Sequence, residues 1–262
     1  MKNVILGVAA LCGTFASEAQ QKEGRIVYQR KVVINIQFGG PGTGDIPPQT
    51  RVTQFELNFA NGQMVFQQME DDAQDELAGS SGGVVIRTIG SSAEDVTFFD
   101  FAQSRKVEQR DFFDKRFLIT DSIRKGNWKL TDETKTILDH QCRKAVSQRI
   151  GKRSIMNMQN GKMERKEVDD TTTIEAWFTT DIPVAVGPDV AGQLPGAILE
   201  LTSDNGRSVY QAIEISPKAN IKAIKEPSKG KKVNQQQFTE ERNKMLDEMQ
   251  RNGGGTIRFR SS

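Results

Sequence analysis

Apolar and polar residues alternate along most of this chain with a period of two, the spacing of a strand with one buried face. Three Asn-Gly pairs break the alternation, and such pairs between strand-like runs are the strongest short signal for a hairpin. Asn61-Gly62 separates Gln54–Phe59 from Met64–Phe66, which places Phe59 opposite Met64 and Leu57 opposite Phe66. Asn160-Gly161 joins Ser154–Gln159 to Lys162–Val168, and Asn205-Gly206 joins Ala197–Ser203 to Arg207–Ile215 with Leu201 opposite Tyr210. Further strands are predicted at Arg25–Gln37, Gly83–Thr88, Asp95–Asp100, Arg105–Gln109, Arg116–Asp121, Thr134–Arg149 and Thr171–Thr179. Repeated hairpins predict a mainly β fold: a strongly curved antiparallel sheet, or half-barrel meander, with a C-terminal helix. Strands and helices do not alternate, so a doubly wound nucleotide-binding fold is excluded.

Other stretches read as connections. Gly39–Thr50 is rich in Gly and Pro, and Glu70–Gly82 is acidic and then small; both read as surface loops. The glycines of the first lack the Lys-Ser/Thr of a phosphate-binding loop. Residues 218–232 carry six lysines and form a basic connector. Asn234, with Gln237 three residues on, caps a helix over about 235–250, whose Phe238, Met245, Leu246 and Met249 share one face. Thr256–Arg260 reads as a last short strand.

The first residues set an expectation about compartment. Lys2 precedes an apolar run from Val4 to Ala16, within the ~7–15 residues of a signal-peptide core and short of the ~20 that span a membrane. Ser17 and Ala19 supply small residues at −3 and −1. Residues 1–19 therefore read as a signal peptide cleaved after Ala19, and 20–262 as one exported β-rich domain in the periplasm or at the outer membrane. No later run approaches membrane length, so the mature chain has no predicted transmembrane span. It keeps one cysteine, Cys142, which excludes an intrachain disulfide.

Three ordered segments carry a resemblance. They are Asp111–Ile119 followed by Trp128–Leu138 and Cys142–Ala145; Ile174–Thr179 with Asp181–Pro183 and Gly187-Pro188; and Gln193-Leu-Pro-Gly-Ala-Ile-Leu-Glu-Leu201. Together they resemble the GLPGLI family of exported proteins from Gram-negative bacteria. The name motif here reads QLPGAI, with Gln193 and Ala197 as departures. The resemblance implies an exported, β-rich envelope protein. It carries over no catalytic residue.

Composition narrows the chemistry. The 36 basic and 34 acidic side chains nearly cancel, unlike the basic excess of a nucleic-acid binder. One histidine, His140, and two cysteines cannot build a His- or Cys-rich zinc site, and any imidazole mechanism must run through His140. His140 and Cys142 lie two apart on a strand, about 6–7 Å between side chains, too far for direct proton transfer. Cys142 reads as a buried structural thiol. Trp128, Cys142, Trp177, Leu194, Pro195 and Gly196 are the candidate cleft or motif residues. The Pro195-Gly196 pair reads as a rigid turn that either shapes a cleft mouth or sets strand register. Met156, Met158 and Met163 would share a hairpin face, where methionines commonly just fill apolar space and where three thioethers can also take Cu(I). The acidic runs Asp71–Glu76 and Asp169-Asp170, placed in loops or strand ends, lack a calcium-loop pattern. No cofactor is expected. The reading is a non-enzymatic envelope protein that binds a hydrophobic ligand or an envelope partner; a carboxylate-dependent secreted hydrolase and a copper-handling protein are the alternatives.

Overall fold

The structure, a computed structural model, describes residues 21–34, 49–69, 94–159 and 162–251. The leader, residues 39–48 of the first predicted loop, the second predicted loop, the run 83–88 and the strand at 256–260 lie outside the described residues, while Gln49 and Thr50, read as the end of the first loop, belong to a strand. Twelve strands form one sheet: β1 Gly24–Ile34, β2 Gln49–Ala60, β3 Gln63–Gln68, β4 Val96–Asp100, β5 Arg105–Phe112, β6 Lys115–Ser122, β7 Lys129–Ile137, β8 His140–Gln159, β9 Lys162–Thr179, β10 Ala197–Ser203, β11 Ser208–Ser216 and β12 Lys231–Asn234. The single α-helix among the described residues, α1, spans Gln235–Arg251. The strand order is β12-β6-β5-β4-β3-β2-β1-β11-β10-β9-β8-β7, an open, mixed sheet.

The hairpin arithmetic holds. Asn61 and Gly62 both take positive φ, and the register sets Leu57 against Phe66 and Phe59 against Met64. Leu201 faces Tyr210. The run Thr134–Arg149 is corrected: it contains a turn at Leu138-Asp139, and two strands result. Both turn residues have positive φ (46° and 64°) without a glycine, so no dipeptide signal marked them. Asp169 and Asp170 are also corrected, since they lie inside the unbroken 18-residue β9 and not in a loop.

The order of strands forces the curl. β6 and β7 stand ten strand spacings apart, about 48 Å in a flat sheet. The chain joins them through residues 123–128 alone, a path of at most about 25 Å. Only a sheet bent back toward itself satisfies both, so the connection closes the angle that the strands leave open. Inward-facing residues from both arms, among them Ile26, Tyr28, Leu57, Phe66, Ala145, Ala176 and Phe178, then meet in one core. The segment 180–196 drops into this concavity and buries Ile182, Val186, Val190, Ala191 and Leu194 there.

The basic connector is a strap across the opposite face. The Asn220 amide donates to Asn58 Oδ1 (2.9 Å), Ile224 packs on the group Val65, Phe98, Val107 and Leu118, and Arg105 holds Glu226 through two 2.7 Å bonds. Its last residues become β12, which pairs parallel with β6 from Lys231↔Phe117 to Asn234↔Thr120. The sheet is therefore mixed where an antiparallel one was expected. A strand that returns from β11 to the far edge arrives in the direction of β6, and parallel pairing follows. The capping box forms as predicted: the Gln237 amide donates to Asn234 Oδ1 (2.8 Å), and the Asn234 amide to Gln237 Oε1 (2.9 Å). Phe238 then seats against Phe112 and Phe117, with Met245 and Leu246 beside it.

Phe238→Ala is expected to lower stability by about 3 kcal/mol in a denaturant titration, because it empties the helix–sheet contact. Arg105→Ala, on a partly exposed ion pair, is expected to cost no more than about 1 kcal/mol in the same assay.

Candidate functional site

Trp128, Leu194 and Gly196 are brought together by the β6–β7 connection and the segment 180–196. Trp128 ends the connection, and its indole N–H donates to Gln193 Oε1 (3.0 Å). Leu194 is buried in the core, Pro195 is exposed, and Gly196 is buried. A Cβ on Gly196 would overlap the Thr179 carbonyl oxygen, so this turn requires glycine for close approach and not for its φ. The Leu-Pro-Gly turn thus anchors the inserted segment at the start of β10. The Tyr28 hydroxyl fixes the next residues by donating to the Ile198 carbonyl (2.6 Å).

Cys142 is fully buried in the same core, and its thiol donates to the His140 carbonyl (3.5 Å). Burial pushes the thiol up to about 11, so near neutral pH it stays protonated and unreactive. The His140 ring turns instead toward Asp181 (3.3 Å). Trp177, partly buried, packs against the same core. Lys135 lies 4.2 Å from its ring centroid and also bonds Glu200 (2.7 Å), while Lys144 bridges Glu133 and Glu175 nearby. Trp177 is therefore a platform for two ion-paired lysines. Met158 and Met163 face each other in register, with Met156 two positions back opposite Arg165, but the side chains of all three lie outside the described residues. Among the described residues no three His, Cys, Asp or Glu side chains cluster to hold a metal ion.

The concave face has a second half that the inserted segment does not fill. Along β1 the inward positions run Ile26, Tyr28, Arg30, and along β2 they run Phe59, Leu57, Phe55. Phe55, partly exposed, stacks on Phe66 (centroids 5.1 Å, planes 6° apart), and both meet Tyr210 edge-on. Arg30 covers Tyr210 (5.1 Å to the centroid) and its Nε–H donates to Ser208 Oγ (3.3 Å). From β5, Glu108 accepts from Lys106 and pairs with Arg110 (3.1 Å). The tip of the inserted segment brings Asp189 into this company with a positive φ of 55°. Asp189 reaches water, yet the surrounding walls remove enough solvent to push its carboxyl above the ordinary carboxylate range. Arg30 and Arg149 pull it the other way, and the charges of Glu108 and Lys106 also reach it.

The mouth of the concavity is therefore an aromatic shelf under four cations and two carboxylates. Neither the shelf nor its charges were singled out in the sequence. The available signal was charge at inward parity: Lys106, Glu108 and Arg110 alternate with Val107 and Gln109, and Arg30 continues an otherwise apolar face.

Both tyrosines of the chain, Tyr28 and Tyr210, are pushed well above the ordinary phenol range by burial, with Asp189 adding to the effect at Tyr210. These groups and Cys142 are neutral in the fold and ionise more readily once unfolded. Their contribution is complete below the unfolded values, near 9 to 10, and is lost as pH rises beyond them. In an alkaline titration, tyrosinate absorbance is expected to rise only together with loss of the β-sheet circular dichroism signal. Gly196→Ala is expected to destabilise by several kcal/mol, with urea unfolding as the measurement.

Residues 128–200 match a family model described as a protein of unknown function (Porph_ging). That stretch contains β7 to β9, the inserted segment and its Leu-Pro-Gly turn. No curated protein matches the sequence. Among solved structures the chain is similar to PNGF-II in two crystal forms. One match has 17% identity and a TM-score of 0.49, covering 83% of this chain and 32% of that one. The other has 18% identity and a TM-score of 0.48, covering 84% and 32%. The chain spans about a third of the length of those structures.

Proposed function

We propose that this is an exported protein of the cell envelope with a non-enzymatic role, which holds a ligand against the open half of its concave face. The observation that carries the reading is the change of character along that face. Beyond the inserted segment the apolar core gives way to a partly exposed stacked ring, Phe55, beside Arg30 and Asp189. A shelf of this kind suits a ligand with a flat apolar surface and a polar or anionic group. The compartment rests on the signal-peptide pattern and the GLPGLI resemblance. No helix among the described residues is long and apolar enough to cross a membrane.

One observation favours the hydrolase as a second reading. Glu108 and Asp189 stand on different walls of the mouth, each within reach of the other's charge. Glu108 is engaged by Lys106 and Arg110, an arrangement that suits a fixed counter-charge better than a free base.

Native mass spectrometry of protein purified from the envelope fraction tests the binding reading. The wild type is expected to carry a bound mass that a Phe55→Ala, Arg30→Ala variant loses while keeping its circular dichroism spectrum. A bound mass that survives both substitutions would place the ligand elsewhere. N-terminal sequencing of the same sample is expected to begin at Gln20, and an intact Met1 would sink the export claim.

A further inference from the structure

Asp189 is the tip of the inserted segment and the one residue between Val186 and Ala191 that is not buried. The Val190 amide bonds back to the Pro188 carbonyl, and this tight turn, with the positive φ at its centre, directs the Asp189 side chain away from the core that Val186, Val190 and Ala191 fill. Aspartate accepts left-handed backbone more readily than most residues, and residues held there cluster at ligand clamps.

Two arginines reach the same space from opposite arms of the curl. Arg30 continues the inward row of β1, fixed over the Tyr210 ring and by its bond to Ser208. Arg149 is exposed and continues the inward row Ala145, Ser147 of β8. It stands at the root of the long two-stranded arm of β8 and β9, beyond Val146, where the cover of β7 ends. Both charges act on Asp189. Among the described residues, however, no hydrogen bond or ion pair joins the Asp189 carboxylate to either arginine, and neither arginine is paired with another carboxylate. Lys106 and Arg110, by contrast, are engaged by Glu108. Two cations and one carboxylate therefore face one another across open space beside Phe55, with one positive charge in surplus.

We propose that this space seats a planar organic anion, an aryl carboxylate or sulfonate, with its charge between Arg30 and Arg149 and its ring on the Phe55 shelf, and that Asp189 sets how much negative charge the seat accepts. The inference rests on the binding reading above and names the class of ligand. Guanidinium groups hold oxyanions through paired N–H donors, and Arg30 is already fixed, so little side-chain freedom is lost on binding. One negative charge answers the surplus. While ionised, Asp189 opposes it; once protonated, Asp189 no longer does, so the anion binds more tightly as pH falls. Partial removal of water holds this carboxyl above the ordinary range, so the gain begins at a higher pH than for a solvated aspartate. The other groups around it are Lys106, Glu108 and Arg110, tied to one another, and Tyr210, which burial keeps protonated.

Two fluorescent probes with one hydrocarbon body test this on the mature chain: anilinonaphthalene sulfonate, ionised throughout the titration, and neutral phenylnaphthylamine. The wild type is expected to bind the sulfonate about tenfold more tightly than the neutral probe. Arg30→Gln and Arg149→Gln are each expected to cut that preference by about threefold or more; Arg149 is exposed, so its substitution leaves the core untouched. Asp189→Asn is expected to tighten sulfonate binding at mildly alkaline pH, to abolish its strengthening in acid and to leave the neutral probe unchanged. Phe55→Leu is expected to weaken both probes. Equal wild-type affinities that both fall in Phe55→Leu overturn the anion seat and leave the shelf standing. Probes that fail to bind, or ignore Phe55→Leu, overturn both readings. A sulfonate preference that survives both arginine changes, or wild-type pH dependence in Asp189→Asn, overturns the inference.

Discussion

Between the end of β6 and the start of β7 the chain has six residues in which to travel from one side of a twelve-stranded sheet to the other. Hydrogen-bonded strands cannot be compressed sideways, so the sheet itself must bend until its two flanks approach. Everything inward of the strands follows from that bend. Flat, the alternating apolar residues of β1 to β4 and those of β8 to β11 would be two halves of one face in need of cover. Curled, they cover each other, and Tyr28, Phe66, Ala176 and Phe178 belong to one core.

A curl of this diameter still leaves more space than the strand side chains can fill. The segment 180–196 supplies the missing volume, which explains why a stretch without regular structure carries five core residues. Its position is set at both ends by backbone-scale contacts: Gly196 against the Thr179 carbonyl, and Tyr28 on the Ile198 carbonyl. Because the segment stops at Asp189, it covers only part of the concave face among the described residues. The polar mouth is thus a by-product of how far the insertion reaches, and its charges come from four separate parts of the chain.

The outer face is stabilised differently. The lysine-rich connector reads from composition as a solvated linker, yet one apolar side chain, Ile224, and one bidentate ion pair dock it. It delivers β12 to the exposed edge of β6, and the helix that follows covers the end of that edge. One edge of the curled sheet is therefore capped, while among the described residues β7 and the long arm of β8 and β9 remain open.

Local chemistry was legible in the residues. The period-two patterning, the Asn-Gly turns at residues 61–62 and 205–206 with their registers, and the Asn234–Gln237 cap depend on neighbours within a few positions, and each formed as the sequence implied. The turn at Leu138-Asp139 was not legible, because its positive φ angles are imposed on ordinary side chains by the strands it joins. The candidate residues Trp128, Leu194 and Gly196 do converge, but as the anchor of an insertion, while Trp177 packs on the same core and carries two lysines. The shelf of Phe55, Tyr210 and Arg30, with Asp189 above it, was invisible because parity tells which residues share a face and not which face turns inward. Sequence by itself determined most of the strands, the pairing at the Asn-Gly hairpins and the capped helix, since these are set by short-range backbone preference. Tertiary structure alone decided the curl, the parallel return of β12 and the location of the mouth, since these depend on the distance between flanks that no local pattern encodes.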